Sequence, residues 1–410
     1  MEWVLGQVVT PTTTIPDGAV GIDRDTIRYV GPSAGAPRNP RDPVTELHDS
    51  WVTPGLIDVH CHGAGGHDVL EADPAALATI SRTLAAHGVT GFLATTVVRR
   101  ETGGMRHLEV AAEVAAAGRP DGARLLGLHV EGPYVNVKRK GMIRPDRIWN
   151  PDPQDLRQLL AATRGQLKMV TLAPELPGVI DLLPLLRDHG AVASMGHTDA
   201  TFDQARTGFA AGIRHVTHLF NAMREFHHRE PGALGAVLTD TGTTVQLIMD
   251  GTHVHSEVLR WTTRILRPEA VVLITDALPA AGLPDGRYAY DGRPYDSRGG
   301  AAWSPDGTLF GTTLLLDQMV RNAVRFCRVD FPTAIRMATW NPAHAAQLTH
   351  EVGELAPGRQ ADLAVWSADH QVQATMVAGQ WVHRADSFTR TLRPTADPET
   401  GARALPRSPA

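Results

Sequence analysis

The chain has 410 residues, 42% hydrophobic and 20% charged, an ordinary globular balance that excludes disorder and fibrous repeats. With 39 basic and 44 acidic residues the net charge is −5, so nothing points to nucleic acid or an anionic membrane as partner. No apolar run reaches the roughly 18 residues that span a bilayer. The opening MEWVLGQVVTPTTT lacks the basic start and apolar length of a signal peptide, and Cys61 and Cys327 cannot form a disulfide framework. A cytoplasmic protein is expected.

Residues 1–53 contain WVLGQVVT, AVGIDRDTIRYVG and VTELHDSW, in which apolar and polar residues alternate between turns as in short half-buried strands. From 54 to 343 the pattern changes to apolar runs separated by amphipathic stretches. The runs are LIDVH (56–60), GVTGFLATT (88–96), RLLGLHVEG (124–132) and LKMVTLAPE (167–175). AVASMGHT (191–198), HVTHLFNAM (215–223), TTVQLIMDGTH (243–253) and AVVLITDA (270–277) follow. Between them, stretches such as 74–88 and 201–212 repeat apolar positions every three or four residues, predicting helices. Eight such βα repeats predict a (β/α)8 barrel rather than an open sheet, and no G-x-G-x-x-G follows the first strand. A polar stretch at 278–312, rich in Gly, Asp and Tyr, reads as a long loop on the face where barrels carry their sites. Residues 344–384 return to short strands, so 1–53 and 344–384 are expected to build one small β-sandwich. Residues 385–410 carry four prolines and no periodicity, and are expected to form a flexible tail.

Chemistry concentrates at the predicted strand ends: His60 and His62, then Glu131, His197, His218 and Asp276. Singly, each has a bland explanation. With 19 histidines in the chain, chance yields roughly one H-x-H pair, and a second, His253–Val254–His255, is present. His197 and His218 could be satisfied core histidines, Glu131 a buried ion pair, and Asp276 a cap. Together, on consecutive strand ends, they are explained by a metal site. One Glu and two His leave a position open for water, with zinc the default and iron, manganese or cobalt suited to the same donors. Asp276 is then the group to move the proton. A scaffold that had lost its activity would not need these residues.

V-T-P-G-L-I-D-V-H-C-H-G resembles the amidohydrolase superfamily. H-V-E-G-P-Y, M-G-H-T, T-H-L-F-N-A-M, R-E-P-G, D-G-T-H-V-H and I-T-D-A, in that order, resemble its N-acetylglucosamine-6-phosphate deacetylase family. The closing G-E-L-A-P-G-R-Q-A-D-L-A-V-W is similar to the superfamily's return into its small domain. The resemblance implies a main divalent metal on Glu131, His197 and His218, with Asp276 as acid and base. A second ion is implied at His60 and His62, bridged by Glu131. It further implies phosphate at the backbone amides of Asn221 and Ala222, with Arg229 reaching across a homodimer. The sugar is implied at His253 and at Leu309, Phe310 and Gly311. One position departs. Where the family has a substrate-contacting histidine, this chain has Ile143, after a basic Lys138–Arg139–Lys140 stretch. Hydrolysis of N-acetyl-D-glucosamine 6-phosphate is the expectation. The galacto epimer or another superfamily amide is the alternative.

Overall fold

The computed structural model describes residues 1–100, 104–118, 121–386 and 388. Eight strands form its central sheet: β1 (Leu56–Cys61), β2 (Val89–Thr96), β3 (Arg124–Glu131), β4 (Leu167–Leu172), β5 (Val192–Met195), β6 (His215–Val216), β7 (Thr244–Ile248) and β8 (Val271–Ile274). Each pairs in parallel with the next in chain order. The last meets the first where Cys61 bridges Ala277 and the Asp276 N–H donates to His60 O at 2.8 Å, which all but closes the barrel. Every residue of β1, β2 and β8 is buried. Strands covered on both faces must be apolar almost throughout, which is why they stood out as runs.

The helices follow their end signals. Asp73 accepts the Ala75 N–H at 2.9 Å and Pro74 opens the helix Pro74–Ala85, which buries Leu77, Ile80 and Leu84. Each such side chain is worth about 1.5–3 kcal/mol of burial. Thr201 and Gln204 form a capping box on Phe202–Ala211, and Gly212 ends it in the left-handed region.

Both chain ends build one seven-stranded sheet. Its order is Gln380–Arg384, Val372–Val377, Leu363–Trp366, Val44–Pro54, Glu2–Val9, Thr14–Asp23 and Thr26–Pro32. Val4, Val8, Val20, Ile22, Val52, Leu363 and Val365 share its core. The central strand Val44–Pro54 continues into β1 across Gly55, where a Cβ would stand 2.0 Å from Thr90 Oγ1. Only glycine permits that approach. Trp51 and Trp366 pack on Phe331 and fasten the sheet to the barrel.

Three expectations need correction. The run 215–223 pairs as a strand only through His215–Val216, because His218, Phe220 and Ala222 take positive φ and turn the chain. The runs 167–175 and 243–253 likewise leave the sheet after Leu172 and Ile248. The stretch 278–312 is not a loop. It is a four-stranded antiparallel sheet of Gly286–Tyr290, Arg293–Arg298, Ala301–Trp303 and Leu309–Thr312. Its outer residues are exposed and polar, which hides the period of two. Its inner face, Tyr290, Tyr295, Ala302 and Phe310, packs on Leu70, Val97, Val135 and Ile143. Of the expected tail, residues 387 and 389–410 lie outside the described residues, and Phe388 rests on Trp381. Among the described residues no helix is long and apolar enough to cross a membrane.

Candidate active site

The barrel brings six of the predicted residues to one point. Glu131 ends β3. His197, His218 and Asp276 lie just past β5, β6 and β8, all three with positive φ. Non-glycine residues held there cost of order 1–3 kcal/mol each and cluster at functional sites. Glu131 Oε1 lies 3.1 Å from His197 Nε2 and 3.0 Å from His218 Nε2, and those two nitrogens are 3.1 Å apart. On the other side, His60 Nε2 and His62 Nε2 are 3.3 Å apart, and each is 3.4 Å from Asp276 Oδ1. Glu131 stands between the groups, with Oε1 3.4 Å from His60 and Oε2 3.4 Å from His62.

The outer ring nitrogens explain why this donor set fits divalent cations. His197 Nδ1 donates to Arg139 O at 2.9 Å, and His60 Nδ1 donates to Gln246 Oε1 at 2.9 Å. Gln246 Oε1 also accepts the His218 N–H, which fixes the amide's orientation. With their protons on Nδ1, both rings present an Nε2 lone pair to a carboxylate oxygen and to another imidazole. Lone pairs at 3.1–3.4 Å repel unless a cation or a proton lies between them. Two groups of donors converge in this way: Glu131, His197 and His218, and His60, His62 and Asp276.

Charge follows the same logic. Burial opposes ionisation of Glu131, but His197, His218 and His60 around it hold its carboxyl well below the usual range. Burial likewise works against Asp276, yet His60 and His62 hold it far down, so it is a carboxylate. Burial pulls His62 down, but hydrogen bonding to Asp276 and Glu131 outweighs it and pushes the ring up to about 10. Asp276 is the most open of the six, with 15% of its side chain exposed, and it faces the cavity above the donors.

Asn221, Ala222, His253, Ile143, Leu309 and Phe310 line that cavity, and Gly311 follows on the same strand. His253 donates from Nδ1 to Asp250 Oδ2 at 2.6 Å, whereas His255 caps the helix behind it through Glu257 N–H. The Asn221 N–H already donates to His218 O at 3.0 Å. Arg229 is not brought to the cavity: it is exposed and donates to His228 Nε2 at 2.8 Å. The basic stretch is also engaged elsewhere, since Arg139 and Lys138 pair with Asp199. Ile143 is only 4% exposed, so it anchors the inserted sheet as well as lining the pocket.

Sequence reasoning missed the residues that hold the donors in place. Asp58 accepts from Thr275 Oγ1 at 2.6 Å and from the His60 N–H, tying β1 to β8; burial pushes its carboxyl up to about 6. Asp58 and Gln246 carry a usable signal, each a polar side chain in an otherwise apolar run. His129 bridges Val59 O and Thr171 Oγ1 and sets its edge on His60. Tyr290 OH meets His62 Nδ1 at 3.0 Å. Its signal is Asp291–Gly292, a two-residue turn with positive φ at both positions that joins Tyr290 to Arg293 in a hairpin.

Residues 51–382 match the model of the amidohydrolase family. The chain belongs to that family. It is 35% identical over 375 residues to N-acetylglucosamine-6-phosphate deacetylase of Bacillus subtilis, covering 91% of this chain and 94% of the relative. It is 36% identical over 337 residues to N-acetylgalactosamine-6-phosphate deacetylase of Escherichia coli O157:H7, covering 82% and 89%. A crystallised mutant of the Mycobacterium smegmatis N-acetyl-D-glucosamine-6-phosphate deacetylase, in complex with N-acetyl-D-glucosamine-6-phosphate, superposes with a TM-score of 0.86 at 35% identity, over 93% of this chain and 99% of that one. Amidohydrolases are metal-dependent, and the two converging donor groups are this chain's candidates for that role.

Proposed function

We propose that this amidohydrolase is an N-acetylglucosamine-6-phosphate deacetylase, hydrolysing the N-acetyl group to give acetate and the free amine. The observation that carries the reading is the convergence of Glu131, His197 and His218 beneath one cavity, with an ionised Asp276 at its floor. Relatives of that activity, matched over most of the chain, supply the substrate class. Glu131, His197 and His218 would hold a divalent metal (zinc first, with iron, manganese or cobalt suited to the same donors), which when bound would supply a Lewis acid for a carbonyl and for water. Asp276 takes the proton from the attacking water as the new C–O bond forms. It then gives that proton to the amide nitrogen as the C–N bond breaks. His60 and His62 offer a second ion a place beside Glu131.

The same reading gives Asn221, Ala222, His253, Leu309, Phe310 and Gly311 to the phosphosugar. Arg229 serves a neighbouring subunit's phosphate in a homodimer, and its exposure away from its own cavity supports that role. A cytoplasmic location and the division into 54–343 and 1–53 with 344–384 belong to this proposal too. The galacto epimer is the second reading. It is favoured by Ile143, which can make no hydrogen bond to the sugar, and by a galactosamine-phosphate relative as similar as the glucosamine ones.

Acetate release from phosphorylated and free N-acetyl hexosamines, measured with the metal-loaded protein and its Asp276→Asn variant, tests the proposal. Turnover of the 6-phosphates is expected. The variant should keep its metal and lose several orders of magnitude in kcat, since the water loses its base and the amine its acid. Near-normal turnover by the variant would remove Asp276 from the mechanism.

A further inference from the structure

The inserted sheet does more than cover the cavity. Tyr290 and Arg293 are cross-strand partners at the tip of the Asp291–Gly292 hairpin, so they project side by side. The tip is pinned from below, because Asp291 is buried and pairs with Arg147 at 3.2 Å and Arg144 at 3.8 Å. Tyr290 touches His62, which places the tip at the metal end of the pocket. There the amide-bearing ring must lie if the amide is to meet Asp276.

Arg293 lines the cavity from this tip, beside Phe310, with its guanidinium carbon 5.0 Å from the ring centre. One of its terminal nitrogens donates to Met142 O. Met142 directly precedes Ile143, so the guanidinium lies over the turn where the family resemblance puts a histidine. Its Nε is buried with no hydrogen-bond partner among the described residues. A guanidinium carries five N–H donors, and one accounted-for bond leaves a fork of donors at the pocket wall. Ile143, meanwhile, is fixed in the apolar cluster beneath the same hairpin. A donor from position 293 thus stands beside the turn that carries position 143, although the two are about 150 residues apart in the chain.

We infer that Arg293 is a specificity-determining residue that donates to a ring hydroxyl at C3 or C4 of the N-acetyl hexosamine phosphate; this rests on the deacetylase reading above. The arginine substitutes for the missing imidazole with a wider, charged donor. It therefore sets which epimer is preferred, and it does not take part in the proton transfers.

The test is a cycle of protein and substrate changes on the metal-loaded enzyme. Acetate release is measured for wild type and Arg293→Met with N-acetylglucosamine 6-phosphate and its 3-deoxy and 4-deoxy analogues. Methionine keeps an unbranched apolar stem and removes the donors. With the parent sugar kcat/KM should fall about tenfold to a hundredfold, the loss expected for one charged donor. With one deoxy analogue the loss should shrink to about twofold or less, since its hydroxyl is already gone. Bound metal should be unchanged. Equal losses on all three sugars, or a loss that vanishes when the phosphate is removed, would overturn the assignment. Should Arg293→Met not fold, Arg293→Lys keeps stem and charge while displacing the donor, and the same pattern is expected with a smaller loss. No acetate from any of the sugars with wild type would instead bring down the deacetylase reading, and this inference with it.

Discussion

The two ends of the cavity are built differently. The metal end is made of residues at the tips of parallel strands, and three of its histidines are fixed by a partner on the far ring nitrogen: Arg139 O for His197, Gln246 for His60, Tyr290 for His62. The sugar end is made of a turn, Gly141–Arg144, and a hairpin inserted after the last strand, which meet through packing, the Arg293 bond to Met142 O and the Arg144–Asp291 pair. A parallel barrel forces its strand ends to converge, so the chemistry has little room to vary. The inserted sheet is an addition, and apart from Tyr290, which meets His62, its side chains can change without disturbing the donors. On the proposed reading, reaction type belongs to the first region and substrate choice to the second.

Breaking the metal end should have the largest effect. His197→Asn or His218→Asn is expected to lose bound metal and activity together, while His60→Asn loses at most a second ion; metal analysis beside acetate release separates these outcomes. If His60→Asn emptied both positions, the ranking of the two groups would be wrong. If Arg229 serves a neighbouring subunit's phosphate as proposed, Arg229→Ala should raise KM for the phosphorylated sugar far more than for the free one, by about 1.5–3 kcal/mol for a charge-assisted contact. Equal effects on both sugars would separate Arg229 from the phosphate. The smallest effect sharpens the border between the regions. Tyr290→Phe removes the partner of His62 Nδ1 and should weaken metal at His60, His62 and Asp276 by about tenfold, as for other partners of ligating histidines. Metal on Glu131, His197 and His218 should be untouched, which competition with a chelator can read.

The same division decides what could be read from the sequence. β1, β2 and β8 are apolar because both faces are covered, so the barrel announces itself, and ionisable residues at the ends of such runs stand out against their surroundings. Glu131, His197, His218 and Asp276 are visible for that reason. β6 is only His215–Val216 because the chain then turns through left-handed residues, and an apolar run does not record φ. The inserted sheet was hidden by its own exposure. RPYDSR alternates buried and exposed residues, but its exposed positions are Pro, Asp and Arg, which read as loop. The role of Arg293 depends on the register Tyr290↔Arg293 and on the docking of that hairpin against Ile143, two long-range facts with no local signature.

The tie between Asp58 and Thr275 bears on how the protein folds. Glu131 and His218 are 87 residues apart in the chain, but Asp58 and Thr275 are separated by 217. Contacts of such separation carry the largest loop-closure cost and form once the chain between them is organised. The β1–β8 seam is thus expected to be the last part of the barrel to be completed, and His60, His62 and Asp276 lie on it. Glu131, His197 and His218 can be in place while the seam is still open. Assembly then has an order, one donor group before the other. A cation held across both groups favours the closed barrel by mass action, as any ligand selective for the folded state does.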